Sequence, residues 1–173
     1  MARVYRPDED SMLLLRHALP RVSGSVLDMG TGSGFIAVAL ASEPGVKRVM
    51  ALDIDPEAVE NAMKRAEEAG VSGRIEFLIT DLFGALHGKM FDWILFNPPY
   101  LPSEGIADEA SWSGGETGGE VVLRFLSEAA NHLNLGGAVL TVISSQTGLD
   151  IGEIEMTYNV EILGEEPLFF ERL

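Results

Sequence analysis

Residues 25–41 hold the feature that most restricts the fold: Ser25-Val26-Leu27-Asp28-Met29, then Gly30-Thr31-Gly32-Ser33-Gly34, then Phe35-Ile36-Ala37-Val38-Ala39-Leu40-Ala41. It reads as a strand, a glycine-rich turn and a helix. Glycine at alternate positions lets the backbone turn tightly and lets a ligand come within van der Waals distance of it. The spacing is G-x-G-x-G, whereas a dinucleotide fingerprint needs its third glycine where Phe35 stands. Asp28 argues the same way. A carboxylate two residues ahead of Gly30 repels a pyrophosphate but favours ammonium or sulfonium charge.

Two further strands each close on an acid. Residues 49–53 end at Asp53, placed at a strand tip to accept both hydroxyls of a ribose. Asp55-Pro56-Glu57 then starts a helix with a cap, a proline at the first position and an acid in the first turn, which makes Asp55 structural. That helix continues through Ala58, Val59, Ala62, Met63 and Ala66 and stops at Gly70. Residues 75–82 form a third strand closing on Asp81, whose carboxylate is placed to accept from an adenine amino group while the next backbone N–H reaches a ring nitrogen. The competing reading of Asp81 is a turn former.

The fourth strand, 91–96, runs into Asn97-Pro98-Pro99-Tyr100. Proline has a fixed φ and no N–H, so two of them end the ladder and hold Asn97 at the strand's carboxyl end. In an open α/β sheet that is where ligands bind. The Asn97 side-chain oxygen and nearby main-chain oxygens offer acceptors to a planar NH2 group, over which Tyr100 can stack. Such an arrangement suits methylation of a poor nitrogen nucleophile, either an adenine amine or a glutamine amide. Taken alone, the tetrapeptide also reads as a plain strand exit; the glycine turn and the acids decide between the two.

The remaining segments complete the layout. Acidic residues in Asp8-Glu9-Asp10 precede Met12-Leu13-Leu14-Leu15, and Pro20 stops what reads as an amphipathic helix. This helix either covers the sheet or brings its polar start to the ligand pocket, and the sequence leaves both open. Residues 101–120, with Trp112, lack periodicity and read as a substrate-side flap. A helix over 121–133 is separated by Gly136-Gly137 from a strand over 138–143, and a weak helix covers 147–158. Apolar residues at 160–163 and 168–170 flank Gly164-Glu165-Glu166-Pro167, a hairpin signature. The expectation is one α/β domain over 1–173, doubly wound and mostly parallel, with a C-terminal antiparallel hairpin.

Composition narrows the partners. Twelve basic against twenty-seven acidic residues give a net charge of −15, a poor match to a nucleic-acid backbone, so direct nucleic-acid binding is not expected. Acidity equally serves solubility. With no cysteine and three scattered histidines, no protein-bound metal is expected. Neither a long apolar run nor a signal-peptide pattern is present, so a cytoplasmic protein without a membrane span is expected.

Asp28 to Gly34, Asp53, Asp81 and Asn97-Pro98-Pro99-Tyr100 together resemble the class I S-adenosylmethionine-dependent methyltransferases, in the subset acting on amide or amine nitrogen. More narrowly, Val4-Tyr5-Arg6-Pro7-Asp8-Glu9-Asp10-Ser11 and Trp112-Ser113-Gly114-Gly115 look like the archaeal and eukaryotic branch of the HemK glutamine N5-methyltransferases. The resemblance implies a Rossmann-like sheet, S-adenosyl-L-methionine as cofactor, and methylation of the glutamine in the Gly-Gly-Gln loop of a class I release factor in translation termination. It implies catalytic roles for Asn97, Pro98 and Tyr100. Around the cofactor it places Ser11, Asp28, Gly30, Thr31, Gly32, Gly34, Asp53, Ile54, Asp81, Leu82 and Asn97, with Ser11 standing where threonine is commoner. A small zinc-binding activator protein at the edge strand, 75–80, is implied as well. Unlike the bacterial branch, this sequence has no room for an N-terminal helical substrate-recognition domain. Adenine N6 or lysine methylation and a non-catalytic cofactor-binding scaffold are the alternatives; a nicotinamide oxidoreductase ranks last because its third glycine is missing.

Overall fold

The computed structural model describes residues 9–98 and 119–166. Five strands form one sheet: β1 (Gly24–Met29), β2 (Val46–Asp53), β3 (Ile75–Ile79), β4 (Phe91–Phe96) and β5 (Leu133–Thr141). Their order is β3-β2-β1-β4-β5 and every pairing is parallel. Among the described residues five α-helices accompany them: α1 (Glu9–Ala18), α2 (Phe35–Ser42), α3 (Pro56–Glu68), α4 (Glu120–Ala129) and α5 (Ile151–Glu155). The order runs outward one way from β1 and then reverses at β4. Crevices for ligands open at such a reversal, beyond the carboxyl tips of the two central strands.

Both faces of the sheet are buried, which explains why its strands read as nearly continuous apolar runs. Val26, Val49, Ala51 and Leu95 pack with Leu13, Leu14 and Ala18 of α1 and with Ile36, Ala37 and Leu40 of α2. Leu27, Met29, Met50, Leu52 and Ile94 pack on the other face with Val122, Phe125 and Leu126 of α4 and with Phe83 and Leu86. Alternate residues of one strand thus serve opposite layers. The start of α3 follows the sequence reading closely: the Asp55 carboxylate accepts the Glu57 N–H at 2.8 Å, and Pro56 opens the helix.

One expectation needs correction, and another is not confirmed. Gly136 and Gly137 lie inside β5 and do not separate it from the preceding helix. Leu133 pairs with Phe91 and Ala138 with Trp93, so the glycines make an irregularity within the strand. A side chain at Gly137 would lie 3.0 Å from the Asp92 and Asn134 carbonyl oxygens. The unconfirmed one is the C-terminal hairpin. Residues 160–163 form no strand, and 168–170 lie outside the described residues, so the described sheet is wholly parallel. Val160 packs against the same core layer as α4, whereas Ile162 is exposed. The weak helix expected over 147–158 is limited to α5, capped by the Asp150 carboxylate on the Gly152 N–H.

β3 is an edge of the sheet, with Ile79 half exposed and Glu76 paired to Lys89 at 2.9 Å. Among the described residues no helix is long and apolar enough to cross a membrane.

Candidate active site

The glycine turn between β1 and α2 and the exit of β4 meet at the reversal point. A cleft of about 40 Å³ lies between them, lined by Ser11, Gly30, Thr31, Gly32, Ser33, Phe35, Ile36 and Asn97. Ser11 comes from the first turn of α1, so the polar start of that helix reaches the site while its apolar face covers the sheet. Both roles left open by the sequence are filled by one helix.

The three glycines are not equivalent. All have positive φ, at 64°, 53° and 75° for Gly30, Gly32 and Gly34, a region that side-chain-bearing residues avoid. A Cβ on Gly34 would sit 2.8 Å from Ala62 of α3, so helix packing itself requires a bare backbone there. At Gly30 it would press to 3.2 Å on the Phe96 ring. Only Gly32 is open, with nothing nearer than 4.0 Å. Of the three predicted contacts, Gly32 is therefore the one whose bareness faces the cleft.

Beneath the turn are two acids. Asp28 is 1% exposed and accepts the Thr31 hydroxyl at 2.7 Å. Burial pushes its carboxyl up to about 7; the Thr31 hydroxyl and the Ala37 backbone N–H oppose this, and the nearby Asp53 charge adds to it. Asp53 accepts the Gly32 N–H at 2.9 Å through one oxygen and the Asp55 N–H at 3.0 Å through the other. Its carboxyl is also raised, again by burial first, with these backbone N–H groups working against it. Each carboxylate oxygen has two acceptor directions, so Asp53 keeps capacity for a ligand hydroxyl.

At the opposite wall Asn97 donates from Nδ2 to Ser11 Oγ at 3.0 Å. Its Oδ1 is buried and has no hydrogen-bond partner. An unpaired buried acceptor costs on the order of 1–3 kcal/mol, a cost that a donor on a bound molecule removes. Pro98 is buried beside it, and Tyr100 lies outside the described residues, as do Trp112 and the rest of 101–118 of the expected flap.

The predicted residues thus divide. Ser11, Gly30, Thr31, Gly32 and Asn97 meet on one cleft, with Asp28 and Asp53 supporting its floor. Ile54, Asp81 and Leu82 sit farther along the strand tips and do not line it. The Asp81 carboxylate is held by the Arg124 guanidinium of α4, a pairing that no local pattern announced. Leu82 is buried with φ 43°, the one positive-φ residue other than glycine among those described. Ser33, Phe35 and Ile36 also line the cleft. Their signal was adjacency to the glycines, which the motif reading passed over.

A methyltransferase small domain model matches residues 4–162. A protein from Methanocaldococcus jannaschii, provisionally named a protein N5-glutamine methyltransferase, is 39% identical over 98% of this chain and 88% of its own length. A release factor glutamine methyltransferase from Koribacter versatilis is 35% identical over 87% of this chain, which spans 58% of that protein. The crystal structure of a ribosomal protein L11 methylase from Lactobacillus delbrueckii superposes with a TM-score of 0.67 at 25% identity, covering 93% of this chain and 72% of that one. Glycine turn, supporting acids, a parallel sheet reversing at β4 and these matches converge, and the chain belongs to the methyltransferase small domain family.

Proposed function

We propose that the protein transfers a methyl group from S-adenosyl-L-methionine to the side-chain amide of the glutamine in a Gly-Gly-Gln loop of a translation termination factor. The observation that carries this reading is the buried, unpartnered Oδ1 of Asn97 at the β4 tip. A planar NH2 group placed there donates one hydrogen to Asn97 Oδ1 and the other to the Pro98 carbonyl oxygen, with Tyr100 proposed to stack on the amide. The relatives named as glutamine methyltransferases support the choice of amide over adenine, as does the net charge of −15.

The residues present fit the cofactor. None of the cleft-lining side chains is charged, and the carboxyls of Asp28 and Asp53, both raised by burial, favour a ligand that carries positive charge. Gly32 leaves room for close approach, Asp53 offers acceptors for ribose hydroxyls, and Asp81 with the Leu82 N–H would receive the adenine edge. Gly30 and Gly34 shape the turn. When bound, the cofactor supplies an electrophilic methyl on a sulfonium. The protein's part is orientation and electrostatics: the Asn97 and Pro98 oxygens hold the acceptor nitrogen and stabilise the positive charge that grows on it. No side-chain base is required, because the proton can leave to water after transfer.

A small zinc-binding activator pairing with the β3 edge belongs to the same reading, supported by the edge position and exposed Ile79. So does a cytoplasmic location. The test is incubation with labelled cofactor and a Gly-Gly-Gln termination factor, with and without such an activator, followed by mass spectrometry. Methyl on the glutamine is expected; label on lysine, or on an oligonucleotide and not the protein, overturns the reading.

A further inference from the structure

We propose that Ser11 is a positioning residue whose hydroxyl sets which end of the Asn97 carboxamide faces the substrate, an inference that rests on Asn97 being the amide-holding acceptor. A carboxamide is nearly symmetric in shape. A half-turn about its last torsion exchanges oxygen for NH2 with little change in volume, but it replaces an acceptor by a donor. A donor facing a substrate NH2 is repulsive, so a site built on Asn97 needs something to hold the amide one way round.

Ser11 is in place to do this. Its Oγ lies 3.0 Å from Asn97 Nδ2 across 86 residues of sequence and takes that hydrogen, which leaves Oδ1 as the unpartnered end. The residue that carries this hydroxyl is itself held. Ser11 is 4% exposed, its N–H donates to Asp10 Oδ1 at 2.6 Å, and α1 is anchored by buried Leu13, Leu14 and Ala18. A rigid helix thus carries the hydroxyl to the tip of β4. Ser11 also lines the cleft, so a cofactor contact is the competing role, and the experiment must separate the two.

Three variants do so. Ser11→Ala suits a helix and removes only the hydroxyl; Ser11→Thr keeps it; Asn97→Asp identifies the Asn97 amide signals by their loss. In 15N-labelled protein, the Asn97 NH2 resonances are expected to move toward free-amide values in Ser11→Ala and to stay in Ser11→Thr. In turnover, Ser11→Ala is expected to lower kcat about tenfold or more through misorientation, with S-adenosylhomocysteine affinity changed less than about threefold and Ser11→Thr close to the parent. Unchanged Asn97 resonances in Ser11→Ala overturn the proposal. An undiminished kcat, or a loss of S-adenosylhomocysteine affinity as large as the loss of rate, overturns it too. If the parent methylates no glutamine while the resonances still depend on Ser11, the proposed substrate fails and the positioning role stands.

Discussion

Asp28 and Asp92 sit on neighbouring strands at opposite ends of the sheet, and their surroundings push them in opposite directions. At the foot of β4, Asp92 accepts the Ser25 N–H at 2.7 Å, the Ser25 hydroxyl at 3.0 Å and the Asn134 amide at 2.7 Å. The Ser25 N–H first, then Asn134, hold its carboxyl below the usual range. At the tip of β1, Asp28 has the Thr31 hydroxyl and the Ala37 N–H against complete burial, and its carboxyl rises to about 7. The foot is a finished network that ties β1, β4 and the glycine irregularity of β5 together. The tip is an acid short of partners, beside an Asn short of one. Stability is concentrated at one end of the strands and unfilled bonding capacity at the other.

The largest expected effect belongs to the tip. Asn97→Ala should reduce turnover by about a thousandfold, the scale of a lost charge-stabilising group, while the thermal midpoint and S-adenosylhomocysteine binding stay near the parent's. Near-normal turnover would erase the contrast. Next comes pH. Below about pH 4 the Asp28 carboxyl is protonated whether the chain is folded or not; between about 4 and 7 only the folded protein holds that proton. Asp28 therefore makes stability fall as pH rises through this window and levels off above it, by a few kcal/mol, on the order of 1.4 kcal/mol per pH unit. Denaturant titrations from pH 4 to 8 should show a fall in stability that is shallower in Asp28→Asn than in the parent, with Asp53 supplying the remainder. Asp92 carries the opposite sign, since its lowered carboxyl gives stability above about pH 4 that is lost as pH falls through its folded value.

Asp92→Ala sharpens the comparison from the other end. It should cost about 1–3 kcal/mol by leaving the Ser25 N–H and Asn134 unpartnered, measured as a shift in urea midpoint, with cofactor affinity unchanged. Smallest of all is Arg124→Ala, which breaks a half-exposed ion pair and should change stability by less than about 1 kcal/mol. Its informative readout is S-adenosylhomocysteine affinity, because it frees the Asp81 carboxylate.

What could be read from the sequence was local. The Gly30 to Gly34 turn, the Asp55 cap and the Asn97-Pro98 exit each declare themselves within a few residues. Helix phase and strand order then bring them together, because parallel crossovers leave few arrangements. The error arose where one local signal has two tertiary meanings: paired glycines at 136 and 137 break a strand's register without ending it. The Ser11–Asn97 and Arg124–Asp81 contacts span long stretches of sequence and leave no periodic trace.

The contact between Gly34 and Ala62 ties the ligand-side turn to the outer helix layer. Enlarging residue 62, a fully buried alanine on α3, would lever the loop that carries the Gly32 amide, so a change made for sturdiness in the helix layer arrives as a change in grip at the centre. Position 62 is therefore a place where engineering for heat tolerance and engineering for donor affinity cannot be pursued separately.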